Sequence, residues 1–323
     1  FTSKTFENPD KDKLLIQLIT YVLDQGHFDP QDINDDFSAS VFEDYLNQLD
    51  PFKRYFYASD IREFEVYKVQ IDEQIKTYDL SFFNRTHERL LQRISESKEI
   101  YTGILEKPFD FSATESYSAD YEKLTFIDSK REMKERWRQQ LKFSTIANYD
   151  DALAQIDIDA GGSNLIDGEY STDIEKPKTK EKKDLKEVEK DARDATRRSL
   201  DELYAFIDDR QRKDWFAVYI NAIVEEFDPH TFYFAPEDKD RFDVAMSGNF
   251  EGIGARLQKK MDAIMVNEII SGGPAWRANQ LEVGDQILKV KQEKEEEPVN
   301  IVGMRLDDAI KFIKGPKGTV VTL

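Results

Sequence analysis

The sequence predicts an α+β chain, with a mostly α-helical N-terminal region followed by a small β/α module. Up to about residue 227, apolar side chains recur at the three- and four-residue spacing of amphipathic helices. After Asp228-Pro229 glycine becomes frequent, and apolar runs shorten to strand length at 263–270, 286–290 and 319–323. This change of period divides the chain into two kinds of structure.

The helical region can be divided further by its start and stop signals. In residues 11–24 apolar side chains share one helical face, and Gly26 just beyond them predicts a stop. Asp50-Pro51 ends the next helix, since a residue before proline disfavours the helical conformation. Ser59 or Asp60 can cap the helix that follows. The predicted helical segments are residues 11–24, 32–49, 61–75, 81–104, 129–143 and 196–227.

Changes in composition mark the predicted domain boundaries. Residues 1–150 form a helical domain, and residues 151–195 form a charged stretch. In that stretch a linker and a solvated helix remain open alternatives, because charges of both signs alternate with few apolar anchors. Residues 196–249 form a helical segment and a hinge that lead to a final domain at 250–323, for which a missing last strand is an open alternative.

Composition also excludes several functions. The chain carries 65 acidic and 46 basic side chains, a net charge of −19. A field of that sign repels polyanions, so nucleic acid is excluded as an expected partner. The chain has no cysteine, which excludes disulfides and thiolate catalysis. It shows neither an apolar run long enough to span a bilayer nor a signal peptide, and its start at Phe1 is typical of a processed or trimmed protein.

The strongest candidate binding site lies at residues 250–258. Gly252 and Gly254 alternate there with Ile253 and Ala255, and a strand pattern follows. Glycine permits backbone dihedrals that turn successive N–H groups to one side, where they can hold an anion such as a peptide carboxylate. The strand that follows can accept the peptide along a free edge. Taken alone, a Gly-x-Gly pair is more typical of a plain tight turn.

The downstream segments favour the binding interpretation. Residues 271–275 predict a turn into a short helix, 283–288 a turn into a strand, 305–314 an amphipathic helix and 318–323 a β-branched strand. In this order, residues 250–323 resemble a PDZ domain of the bacterial, protease-associated kind.

The PDZ resemblance implies roles for particular residues. It implies that the loop of Gly252, Ile253, Gly254 and Ala255 binds the carboxylate of a peptide. It also implies a peptide groove, whose residues are Arg256, Leu257, Leu306, Ile310 and Ile313. For the three residues of the 305–314 helix, core packing is the alternative. For Arg256 the alternative is a solvent-facing position.

Motifs further upstream extend the resemblance over most of the chain. Leu49-Asp50-Pro51, Ser59-Asp60-Ile61 and residues 227–231, 250–255 and 314–318 are similar to the carboxy-terminal processing proteases, in particular the tail-specific, Prc-type, S41-like group. Members of that family are serine endopeptidases with a Ser/Lys dyad in a core that follows the PDZ domain. The resemblance therefore implies a periplasmic protease of a Gram-negative bacterium as the parent protein, and an inactive fragment here that lacks the catalytic domain.

No motif in the chain itself predicts a catalytic residue, a metal site or a cofactor. Ser163, Ser247 and Ser271 lie near glycines but outside a nucleophile-elbow pattern. The chain has three histidines, His27, His87 and His230. They are too far apart in sequence to form a metal-binding motif.

The expected function is therefore substrate recognition and regulation for a protease. The expected partners are free C-terminal tails of unfolded or processed proteins, with an adaptor protein as a further partner that the resemblance allows. The alternative is a non-enzymatic PDZ scaffold that recruits a partner. A trypsin-like protease with PDZ domains is disfavoured, because a helical N-terminal half does not suit that architecture.

Overall fold

A computed structural model of the protein describes residues 9–27, 31–159, 184–235, 239, 242, 246, 252–315 and 317–323. The chain divides into two compact units. We call them the helical unit (residues 1–204 and 212–231) and the sheet unit (residues 205–211 and 232–323). Helices dominate the first unit and short antiparallel strands the second, so the predicted α+β fold class is confirmed.

The helical unit is built from long and short helices joined by turns. Its helices are α1 (Pro9–Gly26), α2 (Asp35–Leu49), α3 (Ala58–Phe64), α4 (Ile71–Thr77), α5 (Ser81–Leu105), α6 (Lys130–Asp159), α7 (Leu185–Asp208) and α8 (Arg212–Glu225), with 3₁₀ turns at Glu65–Tyr67 and Tyr121–Lys123. α2 packs against α4 and α8, and α5 packs against α6 and α8. α1 ends at Gly26, where the sequence predicted a stop.

The centre of the helical unit is aromatic. The ring centroids of Tyr45 and Tyr219 lie 5.0 Å apart, and those of Phe83 and Tyr219 lie 5.7 Å apart. Phe82 packs edge-on against Tyr45 at 5.6 Å. All four side chains are fully buried. Each aromatic pair at this separation contributes about 0.5–1.5 kcal/mol in addition to the free energy of burying its surface. These contacts therefore stabilise the packing of α2, α5 and α8 against one another.

Two buried carboxylates fix the chain around α3. Asp50 accepts hydrogen bonds from the amides of Arg54, Tyr55 and Phe56 at 2.8–2.9 Å. It thereby holds the chain reversal that follows α2. Asp60 accepts the Tyr57 amide at 2.9 Å and two bonds of 2.8 Å from Arg93 of α5. The two motifs that contain Asp50 and Asp60 therefore stabilise the fold of this unit.

Two helices cross the boundaries that the sequence predicted. α6 continues to Asp159, beyond the predicted boundary at 150, and α7 passes unbroken through the one at 195–196. The two helices are joined through buried polar groups, since the Thr145 and Thr196 hydroxyls lie 3.1 Å apart and Asn148 donates to Thr196 at 2.9 Å. From Leu185 onward the charged stretch is a helix. Residues 160–183 of the charged stretch, and most of residues 236–249 at the end of the predicted helical segment and hinge, lie outside the described residues.

In its described residues from 252 onward, the sheet unit contains two small antiparallel sheets and two helices. Its strands are β1 (Ala255–Lys260), β2 (Ala263–Ile269), β3 (Gln286–Ile287), β4 (Lys289–Gln292), β5 (Val299–Asn300) and β6 (Val321–Thr322), and its helices are α9 (Pro274–Ala278) and α10 (Leu306–Ile313). The strand orders are β1-β2-β3 and β5-β4-β6. Both sheets and α10 enclose one apolar core, formed by Ile264, Val266, Ile287, Val290, Ile301, Ala309 and Ile313.

Candidate functional site

The site is built on the loop of Gly252, Ile253, Gly254 and Ala255, which we call the glycine loop. Gly252 has φ +144° and Gly254 has φ +77°, both in the region that favours glycine. The Ile253 carbonyl accepts the Ala275 amide at 2.8 Å, and the Gly254 carbonyl accepts the Ile270 amide at 2.9 Å. Among the described residues, no group accepts the amides of Ile253 or Gly254. The loop thus uses its carbonyls to anchor itself and leaves two donors available.

A close backbone approach holds the glycine loop in place. A Cβ added to Gly254 would lie 2.9 Å from Pro274 Cδ and 3.0 Å from Gly273 Cα. A Cβ added to Gly273 would in turn lie 3.1 Å from Gly254 Cα. Neither position has room for a side chain, so the two segments can touch only because both carry glycine there.

The strand that follows the glycine loop has an open edge. β1 pairs with β2 in an antiparallel register, and β2 pairs with β3, so β1 lies at one end of its sheet. Within the described part of the chain, no strand pairs with the other edge of β1. Such an edge presents unpaired backbone donors and acceptors to which an extended peptide can add as a further strand.

The two faces of β1 differ in their surroundings. Ala255 and Leu257 are half-buried and pack against the apolar core. Arg256 lies on the opposite face, with its side chain 67% exposed and a nitrogen 3.0 Å from Glu268 of β2. Arg256 was predicted as a groove residue. Strand alternation turns this side chain away from the core face that Leu257 occupies and onto the same outward face as Lys260, and a role of Arg256 in the groove stays a prediction.

α10 lies beside β1 and closes the core face. Leu306 and Ile310 are both half-buried. Leu306 packs on the core, whereas Ile310 is not among the described side chains that do so. Ile310 therefore remains available to contact a ligand. Ile313 was also predicted to line the groove, and here the prediction is wrong. Its side chain is only 2% exposed within the core, so it offers no surface to a peptide.

One candidate residue was missed by the sequence interpretation. Lys314, directly after α10, places its Cγ 3.8 Å from the point where a Cβ of Gly252 would be. Its side chain is exposed, and in the described part of the chain it forms no ion pair. From residue 252 onward the chain has 11 Lys and Arg against 10 Asp and Glu, so the acidic excess lies in the preceding residues. The ammonium of Lys314 can therefore attract an anion at the glycine loop, and the nearly balanced charge of this part of the chain does not strongly repel that anion.

Two of the histidines and a group of carboxylates in the helical unit already have partners that explain their positions. His27 packs edge-on against Phe227, and His87 stacks on Phe83. Asp35, Asp72 and Glu73 lie close together, but Asp72 is already bonded to Ser38 and Lys76 at 2.9 Å. Ser163 and Ser247 lie outside the described residues. Among the described helices, none combines the length and apolarity needed to cross a bilayer.

Comparison with known proteins agrees with this division into units. The family model described as "Tail specific protease N-terminal domain" matches residues 19–237, and the PDZ domain model matches residues 243–323. The chain belongs to the tail-specific protease family.

The chain is also similar to individual proteases and to one solved PDZ domain. A tail-specific protease of Haemophilus influenzae is 29% identical over 97% of this chain and 40% of its own length. A "Probable CtpA-like serine protease" of Staphylococcus aureus is 39% identical over 32% of this chain and 20% of its own length. A crystal structure of the PDZ domain of a carboxy-terminal protease from Vibrio cholerae, in complex with peptide, is 49% identical over 22% of this chain and 71% of that one, with a TM-score of 0.21. The chain thus spans well under half the length of these two curated relatives.

Proposed function

We propose that this chain is the substrate-recognition and regulatory part of a carboxy-terminal processing protease, and that its sheet unit binds the free C-terminal tails of target proteins. The observation that carries the proposal is the glycine loop, with the amides of Ile253 and Gly254 available, at the start of the open strand β1. A carboxylate needs donors at its end, and the peptide behind it needs a strand edge. The two are adjacent here.

The energetics of the proposed complex can be estimated from its parts. Hydrogen bonds from amides to a charged carboxylate contribute about 1.5–3 kcal/mol each. The last side chain of the tail would lie on the core face of β1, beside Leu306 and Ile310 of α10. Burial of one apolar side chain there contributes about 1.5–3 kcal/mol. The loop therefore recognises the end of a chain, and the surface beside α10 favours an apolar last residue.

Peptide cleavage itself is proposed for the longer parent protein. By family resemblance, we propose a serine endopeptidase with a Ser/Lys dyad, in which a lysine in an apolar setting acts as base for the serine. The dyad would belong to a domain other than the two units described here. By the same resemblance we propose a periplasmic location in a Gram-negative bacterium, and an adaptor protein as a second partner.

The proposal is tested by peptide binding to the 323-residue chain. A ten-residue peptide with an apolar last residue is prepared with a free and with an amidated C-terminus, and both dissociation constants are measured by fluorescence anisotropy. Amidation should weaken binding by about tenfold or more, since it removes a charged acceptor. Ile310→Asp should also weaken binding, whereas Val283→Asp, at an exposed turn beyond the β3 side of the sheet, should not. Equal affinity for the two peptides contradicts the proposal.

A further inference from the structure

The outward face of β1 carries one cation near each end of the strand. Arg256, Gln258 and Lys260 share this face, as their alternating exposure shows. Arg256 is already paired with Glu268 at 3.0 Å. Lys260 lies opposite Ala263 of β2, which has no charge to offer, and in the described part of the chain it forms no ion pair.

The neighbouring lysine is engaged elsewhere. Lys259 lies on the other face of β1, and its ammonium lies 2.6 Å from both carboxylate oxygens of Asp209, which belongs to the same unit. Within the described residues, the charges of β1 are therefore satisfied at Arg256 and Lys259, and the cation of Lys260 is available to an outside partner.

The position of the glycine loop fixes the direction and register of a bound tail. With its carboxylate at the amides of Ile253 and Gly254, a tail can follow β1 only by running antiparallel to it. The last residue then lies opposite Ala255, and each earlier residue lies opposite the next residue of β1. The pairing of β1 with β2 shifts by one residue beside Arg256, where Arg256 pairs with Glu268 and Leu257 pairs with Val266. The extra residue of this bulge therefore belongs to β2, and the residues of β1 that face the tail still follow one another without interruption.

On this register, the sixth residue from the C-terminus lies opposite Lys260. Directly opposed residues of an antiparallel pair share a face, and their side chains interact. Five strand steps correspond to about 17 Å, which is well beyond a Debye length of about 8 Å at physiological salt. The ammonium of Lys260 therefore interacts with the side chain at this position and contributes little to holding the terminal carboxylate.

We propose that the sheet unit selects tails that carry Asp or Glu at the sixth position from the C-terminus, and that Lys260 is the residue that recognises this acid. The inference rests on the proposed function, because it requires a tail bound by its terminal carboxylate along β1. It adds a charge requirement, distant from the loop, to the preference for an apolar last residue.

The test uses ten-residue peptides with free C-termini and the 323-residue chain at low salt. The peptides differ only in carrying Glu or Gln at the sixth position from the end, and a third peptide carries the Glu at the fifth position, which faces the other side of the strand. The sixth-position Glu should bind about two- to fivefold more tightly than Gln. This preference should disappear in Lys260→Gln and reverse in Lys260→Glu. It should persist in Lys289→Gln, an exposed lysine of β4 that serves as the matched control.

The outcomes separate this inference from the proposed function. Equal affinity for Glu and Gln at the sixth position, with binding still lost on amidation, overturns the role of Lys260 and leaves tail binding intact. A preference that survives in Lys260→Gln, or that is as large for Glu at the fifth position, also overturns it. Peptides that bind equally well with and without a free carboxylate contradict the proposed function itself.

Discussion

Gly254→Ala tests the architecture of the glycine loop most directly. Alanine at φ +77° costs about 1–2 kcal/mol in backbone strain. The new Cβ would also lie 2.9 Å from Pro274 Cδ and 3.0 Å from Gly273 Cα, and overpacking of this kind costs about 1–3 kcal/mol. The sheet unit should therefore lose about 3 kcal/mol of stability in total, and tail affinity should fall because the loop must move to relieve the contact.

Gly272→Ala is a matched control for this variant. Gly272 has φ +78°, but nothing lies within 4 Å of the position where its Cβ would be. It should lose only the strain of about 1–2 kcal/mol and retain peptide binding. Hydrogen exchange of the β1 and β2 amides measures the opening free energy of the sheet unit in each variant. Equal destabilisation by the two substitutions would show that the contact with residues 273–274 does not hold the loop, and would refute the reasoning.

Two further predictions concern charge. Lys314→Gln should weaken binding of a free-acid peptide by about three- to tenfold, because it removes a cation beside the terminal carboxylate. Binding of the amidated peptide should not change. An equal loss for both peptides would show that Lys314 does not face the carboxylate. Burial and the neighbouring Asp44 carboxyl raise the pKa of Glu226, just after α8, to about 7. Since this value is above its unfolded value of about 4.3, the stability that Glu226 contributes is complete below pH 4 and is lost as the pH rises through about 7. Solvent screening reduces this contribution to about 1 kcal/mol. Chemical denaturation at about pH 4 and about pH 8 should show this difference in the stability of the helical unit, and Glu226→Gln should remove it.

Most of the fold could be predicted from local patterns. The helical period of α1, α2 and α5 and the Asp50-Pro51 break are properties of short segments, and the structure places helices there. The extent of α6 and α7 could not be predicted in this way. These helices meet at Thr145, Asn148 and Thr196, and polar side chains at a helix contact add nothing to an apolar period. Their burial depends on a partner distant in sequence, which a local pattern does not contain.

The candidate site was predictable in outline but not in its details. The spacing of Gly252 and Gly254 indicated the loop, because positive φ requires glycine. On α10, however, Ile310 and Ile313 lie less than one turn apart with similar chemistry, and only the tertiary packing shows that Ile313 belongs to the core. Lys314 was missed for the same reason. Lys314 and Gly252 are 62 residues apart in sequence, and no motif in either segment predicts that they lie close together.

The open edge of β1 also has a consequence for the protein before any tail is bound. An unpaired strand edge is a template on which a second copy of the chain can add its own strand, which is a route to aggregation. Lysine near such an edge opposes that pairing, because two copies brought together would place like charges side by side. Lys260 would therefore serve the empty state as well as the bound one, by repelling other copies of the protein while admitting an acidic tail.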